Sequence, residues 1–179
     1  MKVINRNIIE IFKYCPKCAY ELGQNREKRL VDCRFCGLYY YINPIPTVAV
    51  LFENRKKQIL AVKRKFPPAK GKWDLPGGFI DFNENMEKAI NREVKEELGI
   101  SVNKYFYIGS STDNYHFKGV LYKVLSVLYT SEIDGKIYPA DDVASYKFFE
   151  RKLFPYKEFG FPGLADLVRN FLNKREGGE

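Results

Sequence analysis

Residues 85–98 include neither glycine nor proline, and Gly99 follows them directly. Such a stretch is typical of a helix, because glycine readily adopts the left-handed conformation in which many helices end. A rotation of 100° per residue from Met86 places the apolar side chains of this stretch on one arc. Glu93 and Glu97 fall inside that arc and, being four residues apart, face the same point. The sequence therefore predicts a helix that presents two carboxylates on its core-facing side.

Two like charges on a core-facing surface are unfavourable, because they repel each other and lose their hydration. A bound divalent cation would relieve both penalties, and Glu96 would add a third carboxylate beside the pair. Oxygen donors without cysteine or histidine nearby suit Mg²⁺ or Mn²⁺ rather than zinc. The alternative is a solvated acidic helix with a narrower apolar face, since Glu87 also falls inside the arc. The spacing alone leaves both interpretations open.

The residues around this helix resemble the signature of the Nudix hydrolase family. Gly78, five residues, Glu84, seven residues and the run Arg-Glu-Val-Lys-Glu-Glu-Leu-Gly-Ile at residues 92–100 match every specified position of the family pattern. The approach at residues 71–77 is also similar. The resemblance covers residues 44 to about 172 and implies an α/β fold, namely an α/β/α sandwich with a mixed sheet. It also implies an enzyme that hydrolyses a pyrophosphate bond in a nucleoside-diphosphate-linked substrate.

Individual residues acquire expected roles from this resemblance. A catalytic Mg²⁺ or Mn²⁺ would be held by the carboxylates of Glu93, Glu96 and Glu97. A backbone carbonyl at or next to Gly78 would be a further ligand. Arg92 would orient the glutamates through ion pairs, and Glu84 would support the site from the preceding loop. The metal would draw charge from the phosphorus and acidify a water molecule, while a carboxylate accepts the proton.

Other residues are candidates for contact with the metal or the substrate. Asp142, in the Asp141-Asp142 pair, is the candidate outer ligand or general base, and the alternative is a solvated turn. Arg64 is a candidate for binding a phosphate, and the alternative is a solvated basic loop. Trp73 is expected to pack beneath the Pro-Gly-Gly turn rather than to stack on a base. His116 is expected on a loop and is assigned no role.

All four cysteines lie in the first 36 residues, as two Cys-x₂-Cys pairs separated by fourteen residues: Cys15, Cys18, Cys33 and Cys36. Reduced thiols in this arrangement favour a metal site over disulfides, and the spacing resembles a four-cysteine zinc ribbon. Such a closed site is structural, and the alternative is redox-active or adventitious cysteines. With the proline-rich stretch at residues 43–46 as a boundary, we expect a small β zinc ribbon at residues 1–43 and a Nudix domain at residues 44–179.

A ribbon before a Nudix domain looks like the NADH pyrophosphatase branch of the family. Residues 110–117, however, lack the Ser-Gln-Pro-Trp-Pro-Phe-Pro-x-Ser run of that branch. His116 stands where ADP-ribose hydrolases often have proline, and the coenzyme A signature upstream of the box is missing. Three substrate classes therefore stay open: ADP-ribose, an NAD(H)-like dinucleotide and a nucleoside triphosphate.

The net charge of +8 favours anionic partners, and residues 1–43 carry eight Lys and Arg against four Asp and Glu. This excess motivates two alternatives to a hydrolase of small nucleotides. One is a nucleic-acid-binding or regulatory nucleotide sensor, against which the complete set of box glutamates argues. The other is a hydrolase of nucleotide-capped RNA in which the ribbon holds the strand.

No apolar run approaches the ~20 residues of a membrane span, and the N-terminus does not resemble a secretion signal. We therefore expect a cytoplasmic protein with no membrane partner. The run Leu-Tyr-Tyr-Tyr at residues 38–41 predicts an apolar surface of a small β-platform against the Nudix domain, which either lines the substrate cleft or forms a subunit contact in a homodimer. The alternative is that these tyrosines pack the ribbon's own thin core.

Apolar periodicity predicts further elements. Strands are expected at residues 47–52, 58–62, 102–108, 120–129 and around 148–149. A helix is expected over residues 164–172, followed by a frayed tail.

Overall fold

The computed structural model describes residues 6–23 and 30–176. The chain divides into two compact units, a smaller one of residues 1–45 and 114–123 and a larger one of residues 46–113 and 124–179. The boundary expected after residue 43 lies close to the division after residue 45. The smaller unit also includes a segment from the middle of the chain. The division into a ribbon domain and a Nudix domain stays a prediction.

The smaller unit contains short elements: β1 (Arg6–Asn7), α1 (Ile8–Ile11), β2 (Leu30–Asp32) and β3 (Tyr39–Tyr41). Strands β2 and β3 form an antiparallel pair in which Val31 lies opposite Tyr40. Strand β1 pairs in parallel with residues 120–121. The predicted ribbon thus contains β structure around its cysteines.

The remaining elements follow in chain order: β4 (Ile45–Glu53), β5 (Ile59–Arg64), β6 (Trp73–Asp74), α2 (Met86–Leu98), β7 (Phe106–Phe117), β8 (Val120–Glu132), β9 (Val143–Phe149) and α3 (Pro162–Glu176). In the sheet, β8 lies beside β4 and β4 beside β5, while β7 pairs with β8. Both β6 and β9 pair with β5 in antiparallel fashion. Because the β1–β8 pair is parallel, the sheet is mixed, and the predicted α/β class is confirmed.

The core lies between the sheet and α2. Strand β4 contributes Val48, Val50 and Phe52, and α2 contributes Ala89, Ile90, Val94 and Leu98. The alternate residues of β4, Ala49 and Leu51, are buried as well, so both faces of this strand are covered. Each of the larger apolar side chains buried in this way, valine, isoleucine, leucine or phenylalanine, contributes about 1.5–3 kcal/mol to folding.

Helix α2 begins and ends where its local sequence predicts. The Asn85 side chain accepts a hydrogen bond from the Lys88 N–H at 3.0 Å, which caps the first turn. Gly99 has a φ of 71° and donates its N–H to the carbonyl of Lys95 at 3.0 Å. The predicted glycine stop is confirmed.

Two predictions about the segment after α2 are wrong. The strand expected over residues 102–108 begins only at Phe106 and continues to Phe117, so His116 lies on a strand and not on a loop. A two-residue turn joins β7 to β8, in which Lys118 and Gly119 have φ values of 47° and 81°. Pairing with β8 keeps polar residues such as Ser110 in extended conformation, which apolar periodicity cannot indicate.

In residues 6–23 and 30–176, no helix combines the length and the apolar character that a membrane crossing requires.

Candidate metal sites

The loop after β6 runs alongside β4 and brings two glycines close to α2. The N–H of Val48 donates to the Gly78 carbonyl at 2.9 Å, and the N–H of Val50 donates to the Pro76 carbonyl at 2.8 Å. A Cβ on Gly77, whose φ is 142°, would collide with the carbonyl of Val48. A Cβ on Gly78 would collide with the carboxylate of Glu93. Gly77 therefore needs glycine, because its positive φ and the adjacent backbone of β4 leave no place for a side chain, whereas a side chain at Gly78 would displace the carboxylate of Glu93.

The most buried carboxylate of α2 is that of Glu97, which is 4% exposed. One of its oxygens, Oε2, accepts a hydrogen bond from the Gly77 N–H at 2.9 Å. Burial raises the pKa of Glu97 well above its usual value, and Asp142 and Glu93 raise it further. Glu97 is thus a buried carboxylate with two other acidic groups facing it.

Backbone hydrogen bonds hold Asp142 beside Glu97. The N–H of Lys65, next to the end of β5, donates to the Asp142 carbonyl at 2.7 Å. The N–H of Ala140 donates to the Glu97 carbonyl at 3.0 Å, which ties the same loop to α2. The structure therefore brings Asp142 to the box glutamates from the loop before β9, the position that the sequence indicates.

Arg92 connects the other acidic residues. Its Nε and Nη2 donate to the two carboxylate oxygens of Glu84, each at 2.8 Å. Its Nη1 donates to Glu93 at 2.8 Å and to Glu96 at 3.2 Å, and its Nη2 also donates to the Phe79 carbonyl at 2.9 Å. The bond with Arg92 lowers the pKa of Glu84, whereas burial raises the pKa of Glu93.

These acidic groups match the oxygen donors that Mg²⁺ and Mn²⁺ prefer. Arg92 binds Glu93 and Glu96, and the carboxylates lie farther apart than the cysteine sulfurs. Within residues 6–23 and 30–176, the four cysteines are the only group of three or more potential ligands whose donor atoms all lie within 4.8 Å of one another.

Arg64, the candidate phosphate ligand, has its guanidinium held within the fold. Its Nη1 donates to Asp74 at 2.9 Å, its Nε donates to the Pro68 carbonyl at 2.8 Å, and the group lies 5.3 Å from the centre of the Phe161 ring. Burial raises the pKa of Asp74 to about 6 although Arg64 opposes the shift. These contacts favour a structural role for Arg64, and its contact with substrate stays a prediction. The partner Asp74 was not singled out from the sequence, because the pair forms only when β5 and β6 align.

Trp73 packs against Phe149, with ring centres 5.1 Å apart and an edge-to-face angle of 87°. The Nζ of Lys63 lies 4.8 Å above the same indole ring. Packing was the expected role of Trp73, but its partner is a strand residue rather than the Pro-Gly-Gly turn.

The four cysteines of the smaller unit come together as the sequence predicts. The Sγ atoms of Cys15 and Cys36 lie 3.6 Å apart, as do those of Cys18 and Cys33. Burial raises the pKa of Cys15, but the N–H groups of Cys18 and Lys17 outweigh it and lower that pKa to about 6. Four free thiols this close together form a suitable donor set for a tetrahedral metal ion such as zinc.

The two Cys-x₂-Cys segments share one backbone geometry. In the first, the N–H of Ala19 donates to the Cys15 carbonyl at 2.9 Å, and Ala19 has a φ of 59°. In the second, the N–H of Gly37 donates to the Cys33 carbonyl at 2.9 Å, and Gly37 has a φ of 71°. Each segment thus folds into the same tight turn, with a left-handed residue directly after its second cysteine.

Comparison with known proteins places these observations in a family. The model of the NUDIX domain matches residues 43–172. The chain is 28% identical over 166 residues to the NAD-capped RNA hydrolase NudC of Pseudomonas aeruginosa. The aligned residues make up 92% of this chain and 57% of that protein. The chain thus spans little more than half the length of that relative.

A second relative matches over most of both chains. The ADP-ribose pyrophosphatase of Methanocaldococcus jannaschii is 32% identical over 158 residues, covering 87% of this chain and 89% of that protein. Among solved structures, the MutT protein from Methanosarcina mazei Go1 superposes with a TM-score of 0.64 at 24% identity, covering 76% of this chain and 98% of that one. The structural match supports the fold alone.

Proposed function

The chain belongs to the Nudix hydrolase family, and we propose that it cleaves the pyrophosphate bond of a nucleoside-diphosphate-linked substrate at a site built on Glu93, Glu96 and Glu97. The family match and the named relatives indicate a pyrophosphohydrolase. Our proposal concerns the identity of the metal ion, the role of each residue and the identity of the substrate.

The observation that carries the proposal is the environment of Glu97. This carboxylate is almost fully buried, and Glu93 and Asp142 face it. Without a cation, such a cluster is destabilising, because ionised groups repel each other in a poorly hydrated place. Mg²⁺ would offset this repulsion, and the all-oxygen donor set suits it.

Each residue has a definite task in the proposed reaction. Mg²⁺, when bound, would supply positive charge to the pyrophosphate oxygens and acidify the attacking water. The Oε2 of Glu97 accepts a hydrogen bond from the N–H of Gly77, and the Oε1 of Glu97 would bind the metal. Arg92 positions Glu84, Glu93 and Glu96. Asp142 accepts the proton of the water through its carboxylate.

The relatives suggest which nucleotides to test first. One is named for NAD-capped RNA and the other for ADP-ribose. NAD and ADP-ribose share an adenosine diphosphate unit, so we propose ADP-ribose and NAD(H)-like dinucleotides ahead of nucleoside triphosphates. Nucleotide-capped RNA is the second candidate, favoured by the basic excess in residues 1–43. A pure nucleotide sensor is less well supported, because the full set of box glutamates is present.

Product chromatography tests the proposal directly. Purified protein should convert ADP-ribose or NADH into two phosphorylated products, or a nucleoside triphosphate into a nucleotide and pyrophosphate. We expect this conversion only when Mg²⁺ or Mn²⁺ is present. A short RNA with a 5′ NAD cap is included as a further substrate. The proposal fails if folded protein with added metal leaves every substrate intact.

Replacing Arg92 by lysine should weaken metal binding more than it disturbs the fold. Lysine keeps the charge but cannot bridge three carboxylates, as the guanidinium does. We expect the Mg²⁺ concentration for half-maximal activity to rise by about 10–100-fold, with a smaller loss at saturating Mg²⁺. Arg169→Lys is the matched control. Among the acidic groups that the structure describes, Arg169 forms an ion pair with Asp166 alone, on the surface of α3. An unchanged Mg²⁺ requirement in a folded Arg92→Lys protein would refute the positioning role.

For the cysteine cluster we propose a structural zinc held by Cys15, Cys18, Cys33 and Cys36. All four positions of a tetrahedral ion would then be filled by protein, so this zinc would hold the turns together without taking part in hydrolysis. The predicted homodimer and the predicted cytoplasmic location stay predictions.

A further inference from the structure

We propose that the smaller unit binds single-stranded nucleic acid through two pairs of exposed aromatic rings, Tyr20 with Phe35 and Tyr39 with Tyr41, which we together call the ribbon platform. This extends the capped-RNA candidate given above, because it assigns the binding of a polynucleotide strand to named rings and does not concern the cleavage of a pyrophosphate bond. It requires neither the hydrolase assignment nor any arrangement of the two units.

The first observation is the distribution of charge. Residues 1–45 and 114–123 contain ten Lys and Arg but only four Asp and Glu, a net charge of +6. The rest of the chain, more than twice as long, contains twenty Lys and Arg and eighteen Asp and Glu, a net charge of +2. Three quarters of the net charge of the protein is therefore concentrated in the smaller unit, which favours a polyanion as its partner.

The second observation is a stacked pair of exposed rings. Tyr20 and Phe35 have ring centres 5.3 Å apart and an angle of 5° between their planes. Their side chains are 50% and 71% exposed, so this stack is not buried by the ribbon itself. Two parallel rings with an exposed outer face offer a surface on which a planar base can extend the stack.

Both rings lie in or next to the cysteine turns. Phe35 lies between Cys33 and Cys36, and the carbonyl of Tyr20 accepts a hydrogen bond from the Cys15 N–H at 2.8 Å. Phe35 thus lies within one cysteine turn and Tyr20 follows the other, and a bound zinc would hold the backbone of these two segments at a constant spacing.

Strand β3 presents a second pair of rings. Tyr39 and Tyr41 point to the same side of the strand, with ring centres 5.3 Å apart and an edge-to-face angle of 81°. Each side chain is 56% exposed, so packing of the ribbon's own core does not account for them. Lys17 and Arg34, which are exposed beside the cysteines, supply cations for phosphates.

Single-stranded nucleic acid matches both features, because it combines repeated negative charge with unpaired planar bases. An acidic protein segment would satisfy the charge but would not require flat aromatic faces. A duplex would offer phosphates, but its bases are already stacked on each other. The combination of exposed rings and basic charge is typical of proteins that bind single strands.

Fluorescence anisotropy with a labelled, uncapped single-stranded RNA of about 15 nucleotides tests this proposal on the full-length, zinc-loaded protein. We expect saturable binding that weakens as salt increases, and weaker binding to the same sequence as a duplex. Phe35→Leu should reduce the affinity by about 10-fold, since leucine is apolar but has no ring face. Phe35→Trp should restore it.

Phe106→Ala is the control, because Phe106 is 58% exposed but lies on β7 in the larger unit. Zinc content and the mass in solution are measured for every variant. The proposal is overturned if zinc-loaded Phe35→Leu binds RNA as the wild type does, or if Phe106→Ala loses as much affinity. It is also overturned if Phe35→Leu dissociates a dimer without changing RNA binding, because the platform would then be a subunit contact. An uncapped RNA has no pyrophosphate to cleave, so this result is independent of whether the proposed hydrolysis is observed.

Discussion

Glu97→Gln is expected to reduce Mg²⁺-dependent turnover by about 1,000-fold or more while the protein stays folded. Glutamine has nearly the same shape and can keep an oxygen on the N–H of Gly77. It removes one negative charge from the proposed metal site, however. A loss of about 4 kcal/mol in transition-state stabilisation corresponds to a factor of about 1,000 in rate. Steady-state kinetics at saturating Mg²⁺, on the substrate found by product chromatography, gives the measurement.

A second measurement separates a metal role from a purely structural one. Because burial and two acidic neighbours raise the pKa of Glu97, its ionised form is unfavourable in the folded protein without metal. Metal-free Glu97→Gln should therefore have a Tm at or above that of the metal-free wild type. Added Mg²⁺ should raise the Tm of the wild type and have much less effect on the variant.

Glu87→Gln is the control for both measurements. Glu87 lies on the same helix but is exposed to solvent, so its neutral variant should keep the activity and the Mg²⁺-dependent Tm. The assignment of this site fails if folded Glu97→Gln retains turnover within tenfold of the wild type.

The helix that carries these residues could be predicted because its signals are local. Asn85 and Gly99 cap α2, and the spacing of its apolar residues identifies the buried face. Of the glutamates that fall on the predicted arc, Glu97 is buried and Glu87 is exposed. Helical spacing determines the direction in which each side chain points. The width of the buried face depends on the strands that pack against the helix.

The features that the sequence did not predict depend on pairing between distant segments. Glu53 is buried and binds Lys57, four residues away, but also Arg151 at 2.6 Å and Arg175 at 3.4 Å. Arg64, a candidate for binding a phosphate, forms an ion pair with Asp74, a partner that the sequence did not indicate. Long basic side chains can reach several partners, so only the alignment of strands and helices decides which acid each one binds.

The same reasoning explains why the cysteine cluster was predictable and the ribbon platform was not. Four ligands at fixed spacing indicate one site whatever the rest of the fold does. The stacking of Tyr20 on Phe35 depends on how the two cysteine turns face each other. The tyrosines at residues 39–41 are each more than half exposed in the single chain, so they do not pack a core of the ribbon, and their predicted burial in a subunit contact stays a prediction.

Cys33→Ser is expected to reduce the zinc content from about one ion per chain to nearly none and to unfold the region around the cysteines. Serine lacks the thiolate that binds zinc, and the remaining three cysteines would leave the site incomplete. Among residues 6–23 and 30–41, which the structure describes, few apolar side chains apart from Val31 are buried, so we expect the metal to supply much of the stability of this region. Structural zinc contributes on the order of 10 kcal/mol in comparable small domains. Elemental analysis and amide hydrogen exchange follow the two effects.

The exchange pattern decides what the zinc stabilises. Residues 30–41 should lose protection in Cys33→Ser, whereas β4, β5 and α2 should keep it, because their core consists of apolar side chains from the larger unit. Arg34→Ser is the matched control: it places the same residue one position away, at an exposed side chain, and should retain zinc and protection. A disulfide in place of the metal, or full zinc content in folded Cys33→Ser, would contradict a four-thiolate site. Loss of protection throughout β4, β5 and α2 would show that the zinc supports the whole chain rather than its N-terminal region alone.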